Sequence, residues 1–456
     1  MSSLHGQADP VVALAPDARV VVVGASLAGL RTVESLRSNG FTGPITLLSD
    51  ESVTPYDRPP LSKQFLAGAW DSNRIALRTD EELTALTVDL RLGMQATGVD
   101  VAGRLVHGVE HGVQQGAAHS FPYDALVIAT GVRARPLPAG LVDPGLQKPS
   151  VHTIRTRADS EALQPLLAEG VRVVVIGAGF IGAEVAATAS AKGATVTIIE
   201  ALPIPLSRAL GEEMGAACGS LHARHGVILR CGIEVIAITN GCVFLADGST
   251  LAADVVVAGI GTIPNTEWLT DSGMDITNGV RVDEYCRVLS TEGLVLDDIY
   301  AVGDIASFPL RWPMGDALSG LSGQSGLSGQ SDLSDALNDS SDPMMARIEH
   351  WTNAAEMAAH LAQVLTGDAI PYAPVPYFWS DQYNHKIQFL GRAQPCDEVR
   401  IVAGSVDEGA WLALYRSGDR LTAALGVSKV RALAPYRALL ARGCTWDEAL
   451  AAAPQA

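Results

Sequence analysis

The chain contains the same glycine-rich pattern twice, about 150 residues apart, and this repetition constrains its fold more than any other feature. In each copy a run of β-branched residues predicts a buried parallel strand, and the glycines after it predict a tight turn into a helix. An acidic residue follows about 20 residues later. Such a turn can hold a pyrophosphate at the helix N-terminus, and the acidic side chain can accept hydrogen bonds from a ribose. The sequence therefore predicts two dinucleotide sites in one chain.

The two patterns differ at one of their three glycine positions. The first contains Gly24, Ser26, Ala28 and Gly29 and is followed by Asp50, whereas the second contains Gly177, Gly179, Ile181 and Gly182 and is followed by Glu200. Ser26 replaces the middle glycine, but its side chain is small and its hydroxyl can donate to a phosphate oxygen. One such pattern is weak evidence, whereas strand, glycines, helix and acid occurring twice are strong evidence.

Length and charge exclude several classes of protein. A chain of 456 residues predicts about two to four domains, and a net charge of −18 argues against nucleic acid as a partner. No apolar run approaches the ~18 residues of a membrane span. The first 18 residues contain no Lys or Arg, so we expect a disordered leader rather than a secretory signal. Six scattered cysteines without a Cys-x-x-Cys pair fit thiols in a reducing cytoplasm, and we expect no metal site.

Glycine-terminated strands divide the chain into three expected domains. Apolar residues at near-helical spacing predict a helix over 27–38, and strands ending at Gly131 and Gly261 frame the second pattern. We predict a first nucleotide domain over 18–130 and 263–346, a second inserted at 131–262, and an α+β domain over 347–456. The last contains strand-like runs at 377–382, 386–390, 411–415 and 421–427 and ends in an Ala/Leu-rich helix.

A Gly/Ser/Asp-rich stretch at 315–343 contains a near-repeat and no Lys or Arg. Such a composition cannot bury a core, so we expect a flexible surface insertion. A tolerated loop is favoured over a regulatory or docking role.

The chain resembles the FAD-dependent NADH:ferredoxin reductases of oxygenase systems, the family of putidaredoxin reductase, rhodocoxin reductase and the reductase components of aromatic dioxygenases. The resemblance rests on these segments in family order: Pro55-Tyr56-Asp57-Arg58-Pro59-Pro60-Leu61-Ser62-Lys63, Ala129-Thr130-Gly131, the second glycine pattern through Glu184, Tyr300-Ala301-Val302-Gly303-Asp304 and Phe378-Trp379-Ser380-Asp381-Gln382. It covers the chain from Arg19 onward, except for the insertion. It implies two Rossmann-like domains, the first for FAD and the inserted second for NADH, plus a C-terminal α+β domain.

The resemblance also implies contacts for particular residues. Those implied at the FAD site are Gly24, Ser26, Ala28, Gly29, Asp50, Arg58, Lys63, Ala96, Thr130, Asp304, His350 and Trp351. Those implied at the NADH site are Gly177, Gly179, Ile181, Gly182, Glu184, Glu200, Arg208 and Gly261. The implied catalytic residues are Lys63 beside flavin N5, its partner Glu184, and Trp351 near the nicotinamide-side face of the flavin. Without the resemblance, a solvated loop pair would be favoured for Arg58 and Lys63, and a core aromatic for Trp351.

Glu200 carries the expected preference for NADH over NADPH. A carboxylate at this position accepts from both ribose hydroxyls and repels a 2′-phosphate. No Lys or Arg follows until Arg208, so a phosphate would find no immediate counter-charge.

The implied reaction is hydride transfer from NADH to flavin N5, then single-electron transfer to a 2Fe-2S ferredoxin that serves a cytochrome P450 or a Rieske-type oxygenase. Disulfide reductases and cysteine-based NADH oxidases share the two-site plan, but this chain has no cysteine before Cys218. A cysteine-independent NADH oxidase and an NADH-sensing flavoprotein similar to apoptosis-inducing factor remain alternatives. The sequence leaves open the identity of the ferredoxin and the choice between monomer and homodimer.

Overall fold

A computed structural model describes residues 12–111, 117–146, 150–310 and 344–454 of the chain. The insertion expected at 315–343 and most of the expected leader lie outside the described residues. None of the described helices combines the length and apolar character that crossing a lipid bilayer demands.

The described strands form two mainly parallel sheets, one large antiparallel sheet and several small ones. In chain order they are β1 (Val20–Val23), β2 (Ile45–Leu48), β3 (Asp89–Arg91), β4 (Met94–Asp100), β5 (Leu105–Glu110), β6 (Ala118–Pro122), β7 (Ala125–Ile128), β8 (Val132–Ala134), β9 (Ser150–His152), β10 (Arg172–Ile176), β11 (Thr195–Glu200), β12 (Ile228–Cys231), β13 (Val235–Thr239), β14 (Cys242–Leu245), β15 (Thr250–Ala252), β16 (Val255–Ala258), β17 (Thr262–Pro264), β18 (Val280–Arg281), β19 (Arg287–Leu289), β20 (Val295–Ala301), β21 (Ala306–Pro309), β22 (Met345–Arg347), β23 (Tyr377–Gln382), β24 (His385–Gly391), β25 (Glu398–Ser405), β26 (Ala410–Ser417) and β27 (Arg420–Val427).

The described helices pack on the faces of these sheets or connect them. In chain order they are α1 (Leu27–Ser38), α2 (Ser72–Ile75), α3 (Asp80–Ala85), α4 (Arg157–Leu163), α5 (Phe180–Ala191), α6 (Ser207–Arg224), α7 (Trp351–Leu365), α8 (Val430–Leu433), α9 (Tyr436–Ala441) and α10 (Trp446–Ala451). Single turns of 3₁₀ helix occupy Pro59–Ser62, Gln164–Leu166, Glu267–Leu269 and Gly303–Ile305.

The first sheet has the strand order β3-β2-β1-β7-β20-β19. Its strands run parallel except for β19, which pairs antiparallel with β20. The four valines of β1 are buried, as expected for a strand covered on both faces. The helix predicted over 27–38 is confirmed as α1, which follows β1 directly. The chain leaves this sheet after β7 and returns to it at β19, so the second sheet is an insertion in the first domain.

The second sheet has the strand order β12-β11-β10-β16-β9, and its strands are all parallel. β10, α5 and β11 repeat the arrangement of β1, α1 and β2. The short antiparallel pair of β8 and β17 joins this unit to the first one, because these strands lie at the two crossings of the chain. The two Rossmann-like units predicted from the glycine patterns are therefore confirmed.

The third sheet is antiparallel with the order β23-β24-β27-β26-β25. One face packs on α6, and the other packs on the C-terminal helices α8, α9 and α10. The strand-like runs predicted at 377–382, 386–390, 411–415 and 421–427 are confirmed as parts of this sheet. α7, however, packs on α1 in the core of the first unit. We therefore propose that the third domain begins after α7, later than the boundary expected at 347.

Candidate functional site

A cavity of about 1120 Å³ runs between the glycine turns of the two parallel sheets and reaches the third domain. Fifteen of the residues expected at the cofactor sites line this cavity: Gly24, Ser26, Ala28, Asp50, Arg58, Lys63, Ala96, Thr130, Gly179, Ile181, Glu184, Gly261, Asp304, His350 and Trp351. Phe378 and Trp379 of β23 also line it, so the structure brings residues from all three domains to one space.

The first glycine turn is built for close backbone approach. Gly24 has φ +110°, and a Cβ placed there would lie 2.3 Å from the carbonyl oxygen of Ala129. A Cβ on Gly29 would lie 1.8 Å from the carbonyl oxygen of Gly24, so Gly29 supports the packing of α1 on the turn and does not itself line the cavity. The turn therefore presents bare backbone to the cavity, as a pyrophosphate site requires.

The serine in the first pattern occupies a position that tolerates a side chain. At the equivalent Gly179 of the second pattern, an added Cβ meets no atom within 4 Å. The Ser26 Oγ accepts a hydrogen bond from the Arg58 Nε at 3.2 Å. Its hydroxyl hydrogen stays available, so Ser26 and Arg58 together present donors to the cavity.

The second glycine turn repeats the first. Gly177 has φ +100°, and a Cβ placed there would lie 2.3 Å from the carbonyl oxygen of Gly259. A Cβ on Gly182 would lie 2.1 Å from the carbonyl oxygen of Gly177. Neither Gly177 nor Gly182 lines the cavity, and both shape the turn from behind. The Glu200 carboxylate accepts from the backbone N–H of Ala178 at 2.7 Å and of Leu202 at 2.9 Å.

Glu200 therefore lies at the second glycine turn with its orientation fixed. Two backbone donors use half of the roughly four acceptor positions of a carboxylate, and the other half can serve ribose hydroxyls. Arg208 lies in the first turn of α6, is exposed, and does not line the cavity. Neither Glu200 nor Arg208 lines the cavity, but the structure brings the Glu200 carboxylate to the second glycine turn, whereas Arg208 lies on α6.

The carboxylate of Asp50 faces the cavity and has no hydrogen-bond partner within the described ranges, so its oxygens are free for a ribose. Asp304 lies in the 3₁₀ turn after β20 and accepts from the Arg155 Nη2 at 2.9 Å. The Thr130 Oγ1 donates to the carbonyl oxygen of Asn265 at 3.0 Å, which ties the end of β7 to the returning chain. Ala96 on β4 supplies backbone to the same wall.

The most buried charged pair in the cavity wall is Lys63 and Glu184. The Lys63 Nζ lies 2.7 Å from the Glu184 Oε2, and the two side chains are only 11% and 3% exposed. Lys63 follows the 3₁₀ turn Pro59–Ser62, and Glu184 lies in the second turn of α5. The pair therefore joins the FAD-type unit to the NADH-type unit at the point where both glycine turns open into one space.

Aromatic side chains close the cavity on the side of the third domain. The Trp351 Nε1 donates to the Asp57 Oδ1 at 2.8 Å, and the rings of Trp351 and Trp379 are 6.0 Å apart. Burial lowers the pKa of His350 to about 4, so this imidazole is neutral at pH 7. Its Nδ1 is buried and has no partner among the described residues, as expected for an atom that faces a ligand.

Several functional positions were missed by the sequence reasoning. Arg155 bridges Asp304, the carbonyl oxygen of Val132 and, through its own carbonyl oxygen, Arg58. It sits in a connecting segment with no local pattern, so no sequence signal could have found it. Ser62 could have been found, because it precedes Lys63 within the segment that carried the resemblance.

These observations fit the two cofactors. The two glycine turns present backbone to a phosphate, and the carboxylates of Asp50 and Glu200 keep oxygens for ribose hydroxyls. The space between the turns is partly apolar. This arrangement suits FAD at the first turn and NADH at the second. The six cysteines all lie in the described part of the chain, and none of them lines the cavity.

Comparison with known proteins agrees with this geometry. The family model for pyridine nucleotide-disulphide oxidoreductases matches residues 18–358, and that for the reductase C-terminal domain matches residues 377–456. Rhodocoxin reductase of Rhodococcus erythropolis is 36% identical over 427 residues, which are 92% of this chain and 89% of that protein. The ferredoxin–NAD(+) reductase component of the anthranilate 1,2-dioxygenase system of Burkholderia cepacia is 33% identical over 432 residues, 94% of this chain and 95% of that protein. A chain in the crystal structure of the covalent putidaredoxin reductase–putidaredoxin complex has a TM-score of 0.79 at 31% identity, with 93% of both chains covered.

Proposed function

Because the chain belongs to the pyridine nucleotide-disulphide oxidoreductase family and has the reductase C-terminal domain, we propose that it is an FAD-dependent NADH:ferredoxin oxidoreductase. It is a flavoprotein oxidoreductase that uses FAD and NADH. Its electron acceptor is a 2Fe-2S ferredoxin, which serves a cytochrome P450 or a Rieske-type oxygenase. The relatives named above support the acceptor, since they include the reductase component of a dioxygenase system and a reductase crystallised with its ferredoxin.

An ion pair, rather than a thiol, lies where the two nucleotide sites meet, and this observation carries the proposal. Family members that reduce disulfides or peroxides need a cysteine at the flavin. Here Lys63 and Glu184 line the cavity, and no cysteine does. A site with a fixed cation and no thiol suits electron transfer to an external acceptor.

The chemistry that FAD supplies when bound is the conversion of a two-electron hydride donor into a one-electron donor. The residues of the chain orient the reactants. Gly24, Ser26 and Arg58 would hold the FAD pyrophosphate, and Asp50 its ribose. Lys63 would place its ammonium beside the reactive ring, where a cation stabilises added negative charge.

The inserted unit would bind NADH at the turn from Gly177 to Gly182. Glu200 would accept from the ribose hydroxyls and disfavour a 2′-phosphate. Phe180 and Ile181 follow this turn and line the cavity, where they would exclude water from the reacting groups. The wall residues thus act by positioning and by excluding solvent, which is what hydride transfer needs most.

An NADH-driven cytochrome c reduction assay tests the function. We expect purified, yellow protein to reduce cytochrome c rapidly with NADH only when a 2Fe-2S ferredoxin is present. Stopped-flow absorbance should show fast flavin reduction by NADH and fast reoxidation on addition of the ferredoxin. A long-lived reduced complex that ferredoxin does not discharge would instead support an NADH sensor, and reoxidation by dioxygen alone would support an NADH oxidase. A cytoplasmic location and the choice between monomer and homodimer remain predictions.

A further inference from the structure

The carboxylate of Glu184 receives three side-chain donors, and they come from two other domains. The Ser62 Oγ donates to the Oε2 at 2.5 Å, and the Lys63 Nζ donates to the same oxygen at 2.7 Å. The Ser380 Oγ of β23 donates to the Oε1 at 2.7 Å. Ser62, Glu184 and Ser380 are buried, so these donors compensate the carboxylate for the water it loses.

The side-chain amide of Gln382 fixes the direction of the hydrogen bond from Ser380. The Gln382 Nε2 donates to the Ser380 Oγ at 3.2 Å, and both residues are fully buried on the same face of β23. Because this bond uses the oxygen as an acceptor, the serine hydrogen is left to point at the Glu184 Oε1. Gln382 therefore donates to Ser380, and Ser380 donates to Glu184, so both hydrogen bonds run in the same direction.

Lys63 is the charged group that faces Glu184 among the described elements packed around it. β23 presents the neutral Ser380 and Gln382 on this face, while Asp381 points to the opposite face and pairs with Lys386 across the hairpin. The 3₁₀ turn before Lys63 presents the hydroxyl of Ser62. The charge of Glu184 is therefore balanced by Lys63, which also lies near the carboxylate of Asp57 in the cavity wall.

From this arrangement we infer that Ser380 is a positioning residue for hydride transfer, supplied by the C-terminal domain. Its hydroxyl holds the Glu184 carboxylate, and the carboxylate in turn holds the Lys63 ammonium at the cavity wall. The C-terminal domain thus completes the flavin site. The inference rests on the proposed function, because it assigns Ser380 a role in NADH-dependent flavin reduction.

Removal of the hydroxyl should loosen the carboxylate and, through it, the ammonium. Without Ser380 as a donor, the Glu184 Oε1 is buried and unpaired, so the carboxylate is held only through its Oε2. A less firmly held Lys63 then lies less often in the productive position beside the flavin, where its charge favours the reduced form.

The test compares Ser380→Ala with wild type and with Ser380→Thr, all as FAD-loaded full-length protein. The midpoint potential of bound FAD is measured between about pH 5.5 and 8 by spectroelectrochemistry, which does not require NADH. We expect the potential of Ser380→Ala to lie below that of wild type, because a less firmly held Lys63 ammonium stabilises the reduced flavin less. At about pH 8, we expect the rate constant for flavin reduction by NADH to fall about tenfold, with unchanged affinity for NADH. Ser380→Thr keeps the hydroxyl and should restore both properties.

Thr422→Ala is the matched control, because Thr422 is also a buried hydroxyl of the third sheet and donates to a carboxylate, the Asp397 Oδ2 at 2.7 Å, while neither of these residues lines the cavity. It should behave as wild type in both measurements. Coincident potential–pH curves for Ser380→Ala and wild type, or a failure of Ser380→Thr to restore them, would overturn the inference. If NADH does not reduce the flavin of the wild-type protein, the proposed function is refuted instead. The midpoint potentials do not depend on NADH, so they would still test whether Ser380 acts through Glu184.

Discussion

Replacing Lys63 with methionine should destabilise the protein far more than removing an exposed lysine. The pair formed with Glu184 is 11% and 3% exposed, and breaking a buried pair from one side typically costs ~3–5 kcal/mol. Because Ser62 and Ser380 still donate to the carboxylate, we expect the lower end, about 3 kcal/mol. Lys386 and Asp381 form a pair at 3.0 Å with side chains that are 40% and 33% exposed, so Lys386→Met should cost less than about 0.5 kcal/mol.

A double-mutant cycle separates the interaction energy between Lys63 and Glu184 from the effects of losing each side chain alone. Glu184→Gln leaves the ammonium of Lys63 buried without its partner, so it should also destabilise. In the double variant the site is neutral: the amide oxygen accepts from Ser380, and the amide NH2 donates to the Ser62 Oγ, whose hydrogen can turn to the carbonyl oxygen of Pro59. We therefore expect the double variant to be at least about 2 kcal/mol more stable than the sum of the single effects predicts.

Calorimetry on FAD-loaded protein provides the measurement. For domains of this size, 1 kcal/mol moves the midpoint by ~2–4 °C, so Lys63→Met should lower the first transition by about 6–12 °C. Several domains need not unfold together, so the comparison uses the same transition in every variant. If the effects of Lys63→Met and Glu184→Gln on stability are additive, the two side chains do not stabilise each other. Equal shifts of the transition midpoint for Lys63→Met and Lys386→Met would likewise show that burial does not strengthen the pair.

Three further outcomes are expected. Gly24→Ala should abolish FAD retention, because φ is +110° and the new Cβ would lie 2.3 Å from the Ala129 carbonyl oxygen; a normal ratio of flavin to protein absorbance would contradict this. Glu200→Ala should narrow the preference for NADH over NADPH in kcat/KM, and an unaltered ratio would discredit the ribose contact. Burial lowers the pKa of His222 to about 4, so its contribution to stability is complete above about pH 6.5 and is lost as the pH falls toward 4. Tm should therefore drop between pH 7 and pH 5, and less so in His222→Gln, which keeps a polar partner for Tyr383.

Local pattern predicted the two nucleotide-binding units well. The β-branched runs, the glycines and the helix over 27–38 are determined by short-range geometry, so a single stretch of sequence contains the whole signal. Gly24 and Gly177 illustrate this. Each has a positive φ, and a Cβ there would lie 2.3 Å from a carbonyl oxygen, so only glycine fits at either position. The same holds for the alternating strands of the third sheet.

Placement by packing was harder to predict. α7 was expected in the third domain because it follows the insertion, but its apolar face is buried on α1, far away in sequence. Arg155 and Ser380 were missed as site residues for the same reason, since each acts through a partner more than 100 positions away. Neither Glu200 nor Arg208 lines the cavity, so a contact of either side chain with NADH stays a prediction.

The register of β23 gives the C-terminal domain two separate tasks. Side chains alternate along a strand, so Ser380 and Gln382 face the buried carboxylate while Tyr377 and Trp379 face the other way. Trp379 contacts Trp351, whose indole is bound to Asp57 of the first unit. A shift of one residue would exchange the two faces and put an indole against Glu184. The hydrogen bond from Ser380 to Glu184 and the contact of Trp379 with Trp351 therefore fix one register, and a single strand both completes the charged pair and extends the aromatic wall.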